Sequence, residues 1–185
     1  MKELVKFFDY ISKLKLTVRT GWDMRRVPDV RETIGSHCFG VVFFSWIMAK
    51  KENADVEKTI KMALIHDLLE GIIGDLTPLD KNYHIKDILE KEAMVKLDIL
   101  LPEELKNEVK SLLNELLKNK TKESIIVTEA DKLDTAFQAY LYEKKIYDKN
   151  IDDSTFSEFF DFAQRKCKSD FSKEFLEYIR SLRGK

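Results

Sequence analysis

The segment ALIHDLLEGIIGDLTP, residues 63–78, constrains this chain more than any other. Its leucines and isoleucines mark a buried helix, yet His66 and Asp67 stand side by side in it. Glu70 follows one turn later, and Asp75 lies beyond two glycines. Taking that many ionisable groups out of water costs several kcal/mol unless something compensates them. A fold that accepts this segment must bring opposite charge to it, from elsewhere in the chain or from a bound ion.

Hydrophobic period supplies the rest of the architecture, and it is helical throughout. Leu4, Phe7, Phe8, Ile11, Leu14 and Leu16 predict a helix over 3–16. The next stretch, TVRTGWDMRRVPDVRETIGS, carries Gly, Pro and clustered charge and reads as a long loop, of the sort that often holds function. Ser36 is the expected cap of a nearly all-apolar central helix over 37–50. Asp55 is the expected cap of a helix over 56–70, which Gly71, Gly74 and Pro78 then end. Further helices are expected over 85–99, 102–120, 123–145, 155–165 and 170–182. No strand pattern or internal repeat is found. The fold class expected is all-α, one compact helical bundle occupying 1–185 as a single domain.

Charge excludes several functions. The 32 Lys and Arg balance 33 Asp and Glu, for a formal net charge of −1. A polymeric nucleic-acid partner is therefore not expected. The longest apolar run, VVFFSWIMA, is too short to span a bilayer, so no membrane partner is expected. Cys38 and Cys167 form no CxxC pair and read as free thiols of a cytoplasmic protein.

Four polar residues interrupt the apolar helices: His37, His66, Asp67 and Asp131. Imidazole nitrogen and carboxylate oxygen together suit one divalent ion, with Mn²⁺ or Co²⁺ first and Fe²⁺, Zn²⁺, Ni²⁺ or Mg²⁺ admissible. Taken singly, each has an ordinary reading: a satisfied core histidine, or an aspartate on a helix surface. The chain holds only three histidines, however, and two of them sit at ends of core helices. The third, His84, lies in a polar segment and is expected to be exposed.

These four residues resemble the H…HD…D signature of the HD-domain metal-dependent phosphohydrolases. The likeness extends to the 5′-deoxyribonucleotidase branch through LKLTVRTGW, RETIGSH, ALIHDLLEGIIGDLTP and EADKLDTAFQAYLYE, in order over about 130 residues. The resemblance implies that His37, His66, Asp67 and Asp131 ligate the metal. It implies that Arg19 contacts the substrate phosphate, and that Trp22 stands near the sugar and selects against a 2′-hydroxyl. Glu70 matches a catalytically required carboxylate, and Asp75 one that contacts the sugar. One position departs: the family usually has Glu before the first histidine, and here Ser36 stands there.

The chemistry fits a phosphomonoester. A metal supplies Lewis acidity and an acidified water, Arg19 a fork of donors for phosphate, and Glu70 proton transfer or placement of water. Glu70 can alternatively fix a histidine tautomer. Asp134, three residues after Asp131, is expected beside the site rather than as a ligand. Arg25, Arg26 and Arg31 add positive charge, for phosphate or for surface ion pairs. Phe156, Phe159, Phe160, Phe162, Phe171, Phe175 and Tyr178 read as core or as a subunit contact. An exposed apolar face there would favour a homodimer. The expected substrate is a nucleoside 5′-monophosphate. The alternatives are another phosphoester, such as a nucleoside triphosphate or cyclic nucleotide, or a non-catalytic helical domain that keeps a structural metal.

Overall fold

The computed structural model describes residues 1–25, 27, 31–77, 80, 82–146 and 154–183. Pro78 and Arg26 lie outside them. Helices run α1 Lys2–Leu16, α2 Thr20–Met24, α3 Ile34–Glu52, α4 Val56–Ile65, α5 Glu70–Ile73, α6 Lys86–Leu100, α7 Glu103–Lys118, α8 Lys122–Ile146, α9 Ser154–Lys166 and α10 Asp170–Ser181. A single turn of 3-10 helix, Tyr83–Ile85, precedes α6. Among the described residues there is no strand, only an isolated bridge between Val18 and Thr33. The chain is all-α.

The centre is α3 against α8, with α4 laid on both and α9 and α10 closing the far side of α8. Ile34, Val41, Met48 and Ala49 of α3 meet Ile126, Val127, Ala130, Leu133, Ala136 and Ala139 of α8, all buried. Three alanines on the inner face of α8 keep that face low, which lets neighbouring helices approach closely. Gly40 serves the same end: a Cβ there would overlap the Asp134 carboxylate.

Capping sets the entry of each core helix. Thr33, not Ser36, caps α3. Its hydroxyl accepts from Ser36 N, and Ser36 Oγ accepts in return from Thr33 N, a capping box with Ser36 as its third helical residue. Asp55 caps α4 as expected, accepting from Lys58 N at 3.0 Å.

Two expectations are corrected. The stretch 17–36 is not a structureless loop. Thr20–Met24 forms α2, the helix α3 already begins at Ile34, and Trp22 and Val27 are buried. Backbone bonds Arg19 N to Glu32 O and Ile34 N to Thr17 O close the excursion at its base. The helix over 56–70 also stops early. It ends at Ile65, passes through tight turns at 66–69 and resumes as the short α5. Gly71 lies inside α5 and breaks nothing, whereas Gly74, at φ 83°, does end it.

In the aromatic band, Phe156 and Phe160 are buried, Phe159, Phe171 and Phe175 half-buried, and Phe162 and Tyr178 exposed. The band is mostly core. The exposed apolar stripe lies instead on α3, where Phe39, Phe43 and Trp46 are 68%, 47% and 45% exposed. No helix among the described residues is long and apolar enough to cross a membrane.

Candidate metal centre and active site

The four expected ligands come from two helices and the turn after a third, and they meet at one point. His37 lies in the first turns of α3, His66 and Asp67 follow the end of α4, and Asp131 is mid-α8. His37 Nε2 stands 3.4 Å from His66 Nε2, 3.7 Å from Asp67 Oδ2 and 3.2 Å from Asp131 Oδ1. His66 Nε2 lies 3.2 Å from the same Asp67 oxygen.

Each imidazole is oriented through its other nitrogen. His66 Nδ1 is 2.7 Å from the Ala63 carbonyl, which can only accept, so Nδ1 carries a proton and Nε2 is the nitrogen turned to the cluster. His37 Nδ1 is 2.7 Å from Asp134 Oδ2, with the same consequence. Two Nε2 atoms face each other with two carboxylates beside them, a donor set that fits a divalent cation once the imidazoles give up their extra protons.

Burial opposes charge on His66, but Asp67 overrides it and raises its pKa well above the ordinary value. Burial and Arg19 oppose charge on His37, and Asp131 and Asp134 outweigh them. Asp67 and Asp131 are held low despite burial, the first by His66 and the second by Lys132. Without a cation the carboxylates draw protons onto the imidazoles.

A second acidic group, Glu32, His37 and Asp134, is buried on the opposite side of the His37 ring. A cation already serves it. Arg19 Nη1 lies 3.2 Å from Glu32 Oε2, 3.3 Å from His37 Nδ1 and 3.1 Å from Thr135 Oγ1. Burial would weaken the Arg19 charge, but Glu32, Asp131, Asp67 and Asp75 hold its pKa above the ordinary value. Glu32 also takes the Trp22 indole N–H at 2.7 Å. Sequence reasoning missed Glu32. Its signal was only a carboxylate five residues before His37 in RETIGSH.

Arg19, Trp22, Asp67, Glu70, Asp75 and Asp131 line one cavity of about 400 Å³. Glu70 Oε2 is buried there without a partner. Burial first, then Asp67 and Asp75, push the Glu70 carboxyl well above its usual range. Asp75 Oδ2 accepts from Thr20 N at 2.6 Å, tying α2 to the turn after α5. Trp22 is 1% exposed, packed on Tyr142 and Phe159. Only part of its surface can reach the cavity. Asp134 lies beside the centre, bonded to His37, as expected. Lys132, unforeseen, pairs with Asp131 Oδ2 at 2.6 Å. Arg25 lines the cavity and pairs with Glu158, and Arg31 pairs with Asp23 away from it. His84 is exposed, as expected.

Fold and centre define a helical metal-binding domain, and comparison with known proteins agrees. The profile of the HD domain family matches residues 11–174, and the chain belongs to that family. It is 36% identical over 153 residues to the 5′-deoxynucleotidase HDDC2 of Dictyostelium discoideum, covering 78% of this chain and 80% of that one. It is 30% identical to human 5′-deoxynucleotidase HDDC2, covering 77% and 69%. Among solved structures, a Pyrococcus horikoshii protein superposes with a TM-score of 0.77 at 29% identity, covering 97% and 99%. A conserved protein from Pyrococcus furiosus gives 0.75 at 32%, covering 96% and 99%.

Proposed function

We propose that this chain, a single HD domain, is a divalent-metal-dependent phosphomonoesterase that hydrolyses deoxyribonucleoside 5′-monophosphates to nucleoside and phosphate. The observation that carries the reading is the cavity itself. Its wall carries Asp67 and Asp131, whose carboxylates lie 3.7 and 3.2 Å from His37 Nε2, and Glu70, its carboxyl pushed above the usual range, stands beside them. The names of the relatives supply the substrate class.

His37, His66, Asp67 and Asp131 would hold the ion, and their mixed N/O set suits Mn²⁺ or Co²⁺. A divalent ion there supplies Lewis acidity and acidifies a water. Arg19, anchored through Nη1 on Glu32 and Thr135, turns the rest of its fork to the phosphate. Glu70, whose carboxyl is pushed above its usual range by burial and by Asp67 and Asp75, is the group that donates a proton to the leaving 5′-oxygen. Asp75 spends one oxygen on Thr20 N and offers the other to a sugar hydroxyl. Trp22 closes the sugar wall and leaves little room for a 2′-hydroxyl.

A purely structural metal site would need none of Arg19, Glu70 and Asp75. Two free thiols support a cytoplasmic setting. The exposed aromatic stripe on α3 supports a homodimer. The test is phosphate release over 5′- and 3′-monophosphates, nucleoside triphosphates and cyclic dinucleotides, with Mn²⁺ or Co²⁺ present. Turnover of deoxyribonucleoside 5′-monophosphates, poor with the 3′-isomers, is expected. Turnover of triphosphates or cyclic substrates with none of 5′-monophosphates would overturn the assignment.

A further inference from the structure

The cavity extends past the metal-ligating cluster to α9, where its wall changes character. Phe159, Phe162 and Arg165 line it there. Phe159 is already covered, with the Arg25 guanidinium 4.3 Å over its ring and Trp22 at 4.6 Å. Phe162 is not. It is 38% exposed, a large aromatic left open at the cavity while Phe156 and Phe160 of the same helix are buried.

Lys132 sets the distance between that ring and the cluster. Its Nζ is 2.6 Å from Asp131 Oδ2 and 5.4 Å from the Phe162 centroid. Ring and carboxylate oxygen are therefore at most about 8 Å apart (2.6 plus 5.4 Å). One sugar is the spacer that fits between a phosphate at the cluster and a flat group on Phe162.

Arg165 completes the wall. Its guanidinium carbon lies 6.0 Å from the Phe162 centroid. Among the described residues it has no carboxylate partner, unlike Arg19 with Glu32, Arg25 with Glu158 and Lys132 with Asp131. A guanidinium can only donate, so the ligand edge it meets must carry acceptors.

We propose that this α9 wall is the nucleobase subsite, with Phe162 stacking on the base and Arg165 donating to acceptors on its edge. The inference rests on the nucleotidase reading for the identity of the ligand. Stacking accepts any base, since every base has a π face. Arg165 adds a preference: guanine offers N7 and O6 together, whereas adenine sets an amino donor beside N7. Lys132 is held on Asp131, so the base stacks on the part of the ring face that Lys132 leaves open, and the exposed Lys166 gives way to it.

The experiment compares dGMP, dAMP and the base-less 2-deoxyribose 5-phosphate as substrates of the metal-loaded protein. Phe162→Ala should raise KM for both nucleotides about tenfold while moving the base-less compound less than about twofold. Phe162→Tyr should restore nucleotide KM, and Arg165→Gln should bring dGMP and dAMP together. An equal shift for all three compounds, or none for the nucleotides, overturns the subsite. If the wild type hydrolyses none of them, the nucleotidase reading fails separately. Calorimetric titration of dGMP then decides the wall: binding weakened by Phe162→Ala supports it, and no binding overturns it.

Discussion

His37 and His66 each spend Nδ1 on a fixed acceptor, and this leaves both Nε2 atoms aimed at one point. Glu70 is arranged by the opposite logic. Nothing bonds its buried Oε2, and burial together with Asp67 and Asp75 raises its pKa well above the ordinary 4.5. Its neutral form is the one the fold favours. The stability it contributes is complete below the unfolded carboxyl pKa and is lost as pH rises through the folded value. Catalysis that uses its proton should follow the same direction, with kcat falling on the alkaline side. Glu70→Gln should lose about 10²–10⁴-fold in kcat and lose that alkaline limb, with metal content unchanged. Steady-state rates across pH, with metal analysis of the same samples, check this. An alkaline limb that survives in Glu70→Gln would assign the proton elsewhere.

At the scale of elements, the break between α4 and α5 positions Glu70. The Tyr10 hydroxyl donates to the Leu68 carbonyl, and the Tyr10 ring occupies the space a Cβ at Gly71 would need, 2.7 Å from its nearest atom. Helix α1 therefore props the turn carrying His66 and Asp67. Gly71→Ala should push Tyr10 off this turn and cost about 1–3 kcal/mol, read as a lower midpoint in denaturant unfolding. An unchanged midpoint would show that the wedge is slack. The sequence could not disclose this contact, because Tyr10 and Leu68 are 58 positions apart and local period reads the turn as continuous helix. The same limit hid α2, which exists because Trp22 is buried and Thr20 is tied to Asp75. Core helices were legible because their apolar period is long and their caps are local, as at Asp55. The convergence of His37, His66, Asp67 and Asp131 was legible because charge inside an apolar run is conspicuous. Glu32 and Lys132 sit in ordinary polar surroundings and became visible only through their partners.

At the scale of the whole molecule, an aromatic stripe on α3 stays outside the core. Phe39, Phe43 and Trp46 form a ladder of ring contacts at 5.1 and 6.3 Å along α3, open to solvent. Pairing of two copies through this stripe predicts a solution mass twice the 21.7 kDa of the chain. Phe43→Asp should return it to one chain by light scattering. A wild-type mass of one chain would end the pairing. The central claim is that the cluster holds one divalent ion and that hydrolysis depends on it. Metal-stripped protein should be titrated with Mn²⁺ while bound ion, released protons and phosphate release from a deoxyribonucleoside 5′-monophosphate are followed together. Turnover should rise in proportion to bound ion and saturate at about one ion per chain, with protons leaving as His37 and His66 become ligands. Full turnover by stripped protein held in chelator would contradict the account.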